Sequence, residues 1–307
     1  MKMNEINQRT KAKHSLCFLA ISFAVVTCFS QTTTLKSIHK DLTEKAYIAT
    51  PALGTVEPTV FEAGIMPSKY FDLYQNKIGV AANFRLIIRM LNTRSLPINA
   101  PSYMPDVTFY SLLNKKDSCA NIAILTLGHH SNGQDHAFYN PEGGVNLVNG
   151  NFSTNYLRAG IIKKTFSKKH QNTTYYKIAI EQHLNIDRNV ELNGKYGFTR
   201  LKTGIKSVNN SLNRFIKRIK ENNYVSAELN TDWIFDKLIG IKATDASKRL
   251  ITSLTLSYKP SFCKDFSLFV QSYRGQDYYN IHFVKTLSFV RFGLSAEPSA
   301  LINALKS

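Results

Sequence analysis

The stretch Ala82-Asn83-Phe84-Arg85-Leu86-Ile87-Ile88-Arg89-Met90 decides the fold. Its even-numbered positions are all apolar, whereas Asn83, Arg85 and Arg89 occupy odd-numbered positions. Because a β-strand directs alternate side chains to opposite faces, one face of this strand is apolar and the other is basic. A soluble β-sandwich rarely directs two arginines along one face of a strand whose other face is so apolar. The stretch therefore predicts a strand with lipid on one side and a polar interior on the other.

The same alternation recurs further along the chain. Aliphatic and aromatic residues oppose small or charged ones in segments 176–181, 253–258 and 290–294. This pattern predicts an all-β protein, an antiparallel transmembrane β-barrel that is apolar towards lipid and polar towards its lumen. The segments between about residues 78 and 295 suffice for about twelve strands.

The chain begins like an exported protein, with a basic head followed by the apolar run from Leu16 to Cys28. This run is too short to span a bilayer, so we interpret residues 1–30 as a signal peptide. Lipidation of Cys28 is the alternative. Residues 31–75 are weakly patterned and are expected to form an N-terminal extension, and residues 76–307 the barrel.

The net charge of +18 indicates an anionic partner. Export argues against nucleic acid and favours the anionic lipids of a bacterial outer membrane, including lipopolysaccharide. The cysteines outside the signal peptide, Cys119 and Cys263, form no metal-binding motif, and their pairing stays open.

A polar constellation interrupts the apolar face of one strand. In the run from Ala123 to Ser131, His129 and Ser131 have the same parity as Leu125 and Leu127. In the next alternating segment, Asn155 likewise falls on the apolar face. Polar groups are costly on a lipid-facing surface, so they indicate a function there. Serine, histidine and a side chain that orients the histidine are the elements of acyl-transfer hydrolysis.

The motif around these residues resembles a known family. His129-His130-Ser131-Asn132-Gly133 is similar to the His-x-Ser-Asn-Gly signature of the outer-membrane phospholipase A of Gram-negative bacteria, with Asn155 in the next strand. Ser95-Leu96-Pro97, followed by Tyr103-x-Pro105, resembles the loop that supplies a calcium-ligating serine in this family. Segment 271–280 is similar to its penultimate hairpin, to which we assign no chemistry.

The resemblance implies a twelve-stranded barrel that hydrolyses acyl esters of phospholipids at its lipid-facing surface, with phospholipase A1, A2 and lysophospholipase activity. Ser131 would be the nucleophile, His129 the base and Asn155 the residue that orients the imidazole. The backbone N–H of Gly133 would stabilise the oxyanion.

The resemblance also implies a calcium ion and a homodimer that completes the calcium site. The expected ligands are the Ser95 side chain, the Gln134 carbonyl and Asn151. The family usually has arginine in place of Gln134 and serine in place of Asn151, and here Ser153 could substitute for Asn151 as a ligand.

Several alternatives stay open. His129, His130, Asp135 and His136 could form a zinc site, although His129 and His130 fall on opposite strand faces. Ser95 could be a turn residue. The protein could be a passive porin-like or surface-binding barrel. It could also be an enzyme that cleaves the acyl esters of lipid A.

Overall fold

The computed structural model describes residues 34–116, 118–170, 172–209, 224–260, 262–263 and 265–297. The predicted signal peptide, residues 1–30, lies outside the described residues.

The described chain is mostly β-structure. Its strands are β1 (Ala46–Ala49), β2 (Leu53–Thr55), β3 (Thr59–Ile65), β4 (Ser68–Tyr74), β5 (Ile78–Leu91), β6 (Ser102–Lys116), β7 (Cys119–Ser131), β8 (Ser153–Ser167), β9 (Asn172–Leu184), β10 (Thr199–Asn209), β11 (Tyr224–Ile234), β12 (Leu250–Lys259), β13 (Phe266–Gln276) and β14 (Thr286–Ala296). The helices are α1 (Leu35–Leu42) and α2 (Ala246–Arg249), with 3₁₀ turns at Val190–Leu192 and Asn280–Val284. No helix among the described residues is long and apolar enough to cross a membrane.

The strands form a closed antiparallel barrel. From β5 to β14 each strand pairs with the next along the chain, and β1 closes the sheet by pairing with both β14 and β3. The segments β1 and β2 follow one another along β14, and β3 and β4 follow one another along β5. The 14 segments in the sheet therefore make a wall of twelve strands, which confirms the predicted fold.

The predicted N-terminal extension, residues 31–75, is wrong in its second part. Residues 46–74 carry β1 to β4 and contribute two strands to the wall, so the barrel begins at Ala46 and not at residue 76. Prolines explain the weak pattern, because a proline cannot donate a hydrogen bond within a sheet. Pro51 separates β1 from β2, and Pro67 separates β3 from β4.

Side-chain parity follows the prediction. Apolar side chains point outward, as shown by exposed fractions of 50% for Leu127, 54% for Ile178 and 50% for Phe292. The arginines on the opposite faces are enclosed, with Arg89 only 1% exposed and Arg291 5% exposed. An antiparallel barrel that is apolar outside and charged inside fits a bilayer.

The two ends of the barrel differ. At one end, α1 lies inside the wall, where Leu35 and Ile38 are fully buried against inward-facing residues that include Ala120, Ile122 and Tyr175. At the other end, longer loops pack around a cluster of apolar and aromatic side chains, namely Phe138, Phe152, Leu192, Tyr196, Ile281 and Phe283. The predicted site lies at this second end.

Charged pairs occupy the lumen between these two ends. Arg158 forms a 2.6 Å ion pair with Glu181, and Lys177 forms a 2.7 Å ion pair with Glu228. A cavity of about 530 Å³ remains among them. The charges expected inside the barrel are therefore paired with one another.

Candidate active site

His129 and Asn155 face each other across neighbouring strands. The register of β7 and β8 pairs them directly, and His129 Nδ1 lies 2.7 Å from Asn155 Oδ1. Both follow the parity of the outward-facing Leu125 and Leu127. The sequence prediction placed these side chains on one outward face, and the structure brings them into contact there.

A second hydrogen bond orients the Asn155 amide. Asn155 Nδ2 donates to the backbone carbonyl of Ile186 at 2.8 Å, in the loop after β9. The amide oxygen therefore faces His129, where it accepts the proton of Nδ1–H. This tautomer leaves His129 Nε2 as an acceptor, which is the state that a general base requires.

Ser131 is the last residue of β7, two positions after His129, and pairs in register with Ser153 and Tyr103. Its side chain is half-buried. Among the described residues, no hydrogen bond joins Ser131 Oγ to His129 Nε2. Ser131 shares the strand parity of His129, so both residues belong to the outward face of β7.

The turn after Ser131 requires glycine. Gly133 has a φ of +64°, which is unfavourable for other residues, and a Cβ at this position would lie 3.2 Å from Cε2 of Tyr103. Within the described part of the chain, no acceptor pairs with the Gly133 N–H. A free backbone N–H next to a candidate nucleophile is the kind of donor that oxyanion holes use.

An apolar groove lies beside His129 on the outer wall. It encloses about 670 Å³ and extends across β4 to β9. Its lining includes Ala82, Phe84, Val107 and Leu127, next to His129 and Asn155. A groove of this composition suits a hydrocarbon chain better than a polar substrate.

His130 points the other way, into the barrel. It is 7% exposed and packs edge-on against Phe152, with ring centroids 4.7 Å apart. Its Nδ1 lies 3.2 Å from the Tyr196 hydroxyl. Burial raises the pKa of Tyr196 to about 12, despite the nearby Arg200, so this hydroxyl stays neutral. His130 therefore anchors the loop cluster and does not face the outer groove.

The geometry separates the residues of the zinc alternative. His129 faces outward and His130 inward, while His136 and Asp135 are exposed and pair with each other at 2.9 Å. The described residues contain no group of three or more His, Cys, Asp or Glu side chains that could hold a metal ion.

The predicted calcium ligands lie in two loops. Gln134 and Asn151 belong to the loop between β7 and β8, and Asn151 Oδ1 already accepts a 2.6 Å hydrogen bond from Asn189. Ser95 is exposed in a turn of the loop between β5 and β6, with a φ of +69°. No hydrogen bond or ion pair among the described residues joins Ser95 to Gln134 or Asn151. Within one chain, these residues therefore fit a calcium site only in part.

Sequence reasoning missed two asparagines that hold this site together. Asn132 and Asn280 are 2% and 4% exposed, and Asn132 Nδ2 donates to Asn280 Oδ1 at 2.6 Å. Both residues lie within the motifs quoted above, Asn132 in the His-x-Ser-Asn-Gly match and Asn280 at the end of segment 271–280. Their positions within these motifs were the available signal.

Solved barrels resemble this chain. The outer membrane phospholipase A from Escherichia coli matches with a TM-score of 0.54 and 14% identity, over 82% of this chain and 92% of that chain. The outer membrane phospholipase of Salmonella typhi, a dimer with bound calcium, matches with a TM-score of 0.54 and 13% identity, over 82% of this chain and 90% of that chain. No protein-family model and no curated protein matches the sequence. At 13–14% identity, this structural similarity shows a shared fold alone.

The architecture also gives the location. A closed antiparallel barrel of twelve strands with an apolar outer face is the form in which proteins span the outer membrane of Gram-negative bacteria. We therefore assign the protein to that membrane.

Proposed function

We propose that the protein is a carboxylic ester hydrolase of the phospholipase A type, with A1, A2 and lysophospholipase activity on glycerophospholipids. The observation that carries this proposal is the 2.7 Å contact between His129 and Asn155 on the lipid-facing wall, beside an apolar groove. A polar pair at this position has a clear use if the substrate itself lies in the membrane.

In the proposed mechanism, Ser131 Oγ attacks the ester carbonyl while His129 Nε2 takes the hydroxyl proton. The carbonyl π bond opens to a tetrahedral oxyanion, to which the Gly133 N–H donates a hydrogen bond. When the intermediate collapses, His129 returns the proton to the leaving lysolipid oxygen. Water then attacks the acyl-serine by the same route and releases the fatty acid.

Asn155 supports both proton transfers. The Ile186 carbonyl fixes its amide, so Asn155 Oδ1 holds Nδ1–H of His129 and stabilises the imidazolium that forms during each step.

We propose calcium as the cofactor and a homodimer as the active form. The Salmonella typhi phospholipase, a dimer with bound calcium, supports both points. Ser95, Gln134 and Asn151 supply only neutral oxygens, whereas calcium sites usually include carboxylates. The exposed carboxylate of Asp135, next to Gln134, could provide this charge. When bound, the ion would supply positive charge near the oxyanion.

The passive porin-like barrel is the second candidate. Against it, α1 fills one end of the lumen, loops pack over the other, and ion pairs lie between. These features argue against an open channel through the lumen.

The test is fatty-acid release from phospholipid mixed micelles by the refolded protein, with calcium or with a chelator, beside Ser131→Ala. We expect release that needs both calcium and Ser131. Full activity of Ser131→Ala would refute the assigned nucleophile. Release only from lipid A would change the substrate, and conductance in planar bilayers without hydrolysis would favour the passive barrel.

A further inference from the structure

Asn132, directly after the candidate nucleophile, uses both ends of its side-chain amide. Its Oδ1 accepts from the backbone N–H groups of Gln134 at 3.2 Å and Phe152 at 3.1 Å. Its Nδ2 donates to the Gly150 carbonyl at 2.8 Å and to Asn280 Oδ1 at 2.6 Å. Asn132 thus closes the turn that contains Gly133 and ties it to a distant part of the chain.

Asn280 is held in an unfavourable backbone conformation, with a φ of +50°. Asparagine tolerates this left-handed region better than most residues, and such strain persists only where the surroundings enforce it. The Asn280 N–H donates to Ser102 Oγ at 2.5 Å, and Nδ2 donates to the Ala100 carbonyl at 2.8 Å. Its Oδ1 accepts from Ile281 N–H and from Asn132.

The segment that carries Asn280 is itself anchored to the wall. Asp277 accepts two 3.0 Å hydrogen bonds from Arg89 of β5, and both side chains are almost fully buried. Asp277 also accepts from the Tyr279 N–H, and the Tyr279 hydroxyl donates to the Ala100 carbonyl at 2.8 Å. Two neighbouring residues therefore bind the loop between β5 and β6 from the same anchored segment.

We propose that Asn280 is a positioning residue for the ester hydrolysis proposed above, acting through Asn132 on the turn that presents the Gly133 N–H. The inference rests on that proposed function. It assigns to the loop between β13 and β14 a role beyond barrel closure, because Asn280 holds this turn and the Ser95-bearing loop to one fixed point.

The reason is geometric. An oxyanion donor is effective only if its N–H is aimed before the charge develops, and small misplacements cost much of the rate. The Gly133 N–H has no partner of its own among the described residues. Its direction is set by the residues on either side of it, Asn132 and Gln134. The Asn132 side chain fixes both, because its Oδ1 accepts from the N–H groups of Gln134 and Phe152.

The test uses three alanine variants: Asn280→Ala, Asn132→Ala and the double variant that combines them. Asn280→Asp is compared with these, because it keeps the oxygen that accepts from Asn132. We expect each single alanine variant to lose roughly tenfold to a hundredfold in kcat, with KM nearly unchanged. The upper value corresponds to the effect of removing one oxyanion-hole donor. The kcat of the double variant should be no lower than that of the less active single variant, because the two residues act as a unit. Asn280→Asp should recover only part of kcat, because its second oxygen replaces the Nδ2 that donates to the Ala100 carbonyl.

The matched control is Asn121→Ala. Asn121 Nδ2 of β7 donates to Asn114 Oδ1 of β6 at 3.0 Å, which is the same kind of amide pair but near the opposite end of β7 from Asn132. Its loss should leave kcat unchanged. Heat-modifiable mobility on gels would confirm that each variant has folded. If Asn280→Ala does not fold, Ser102→Ala removes one Asn280 contact more gently.

A second readout separates the two proposals. Hydrogen–deuterium exchange of the Gln134 and Phe152 amides should accelerate in Asn280→Ala, whether or not the protein hydrolyses lipid. Unchanged exchange and unchanged kcat would overturn the positioning role. If exchange accelerates in Asn280→Ala while the wild type itself releases no fatty acid, the proposed function is refuted and the structural coupling stands.

Discussion

His129 and Asn155 lie opposite each other in the register of β7 and β8, and a 2.7 Å hydrogen bond joins their side chains on the lipid-facing wall. They are 26 positions apart in the sequence, and the loop between β7 and β8 accounts for most of this separation. The arrangement is rigid because both residues sit on paired strands and Asn155 is also tied to Ile186.

The first expectation concerns this pair. Asn155→Ala should lower kcat by roughly 10²- to 10⁴-fold, because a misoriented histidine cannot take the serine proton efficiently. Asn155→Asp keeps an oxygen opposite His129 Nδ1 and should retain more activity than Asn155→Ala. The measurement is the rate of fatty-acid release at saturating substrate. Equal activity of Asn155→Ala and wild type would show that Asn155 does not orient the base.

Gly133→Ala tests the turn. The methyl group would meet Tyr103 at 3.2 Å and force a φ of +64° on alanine, so the Gly133 N–H should move and kcat should fall by roughly 10²- to 10³-fold. Gly143→Ala is the control in the same loop, because Gly143 has a φ of +81° and no atom within 4 Å of an added Cβ. It should show the backbone strain without the loss of kcat. Equal losses in both variants would attribute the effect to loop strain.

Ala82→Trp tests the outer groove. Ala82 lines the groove, and a tryptophan would fill space that a hydrocarbon chain would otherwise occupy. Each buried CH₂ contributes about 0.8 kcal/mol, so the preference for long acyl chains over short ones should decline by about fourfold for each CH₂ displaced. Competition between esters of different chain length would measure this. Ala227→Trp, on the outer face of β11, should leave the preference unchanged.

The sequence predicted the fold and the outward placement of the site because both depend on local alternation. His129 and Ser131 share a face since they are two positions apart, and Arg89 faces inward for the same reason. The pairing of Asn132 with Asn280 could not be predicted this way. It joins residues 148 positions apart through loops, and no periodicity in the sequence specifies where such loops meet.

The loop between β2 and β3 provides a pH-dependent contact. Burial of Glu57 alone would raise its pKa, but His282 Nδ1, 3.3 Å from Oε1, and the Lys285 ammonium, which donates to Oε1 at 3.1 Å, outweigh this and lower the pKa from 4.5 to about 2. A carboxyl group with a lowered pKa stabilises the folded state above its unfolded pKa, and this contribution is lost as the pH falls from 4.5 towards 2. Glu57→Gln should therefore destabilise the protein near neutral pH and have little effect at the lowest pH.

Urea unfolding of wild type and Glu57→Gln across this range is the measurement. The difference in the free energy of unfolding should reach at most roughly 3 kcal/mol near neutrality. Glu142→Gln, in an exposed loop position, is the control. A difference that stays constant with pH would mean that Glu57 acts through packing and not through its charge.

The last expectation concerns α1. Ile38 is fully buried in the barrel end, whereas Lys36 on the same helix is exposed. Ile38→Asp would place an unpaired carboxylate against Ala120 and Ile122. Because an unpaired buried charge is strongly unfavourable, α1 should dissociate from the inside of the barrel wall. The charged lumen would then be open at that end. We expect the amides of α1 to exchange with deuterium much faster in Ile38→Asp than in wild type and Lys36→Asp. Because loops still cover the other end, we expect none of the three proteins to conduct in planar bilayers. Conductance in the wild type would mean that α1 does not seal the lumen, and would strengthen the case for a passive barrel over an enzyme.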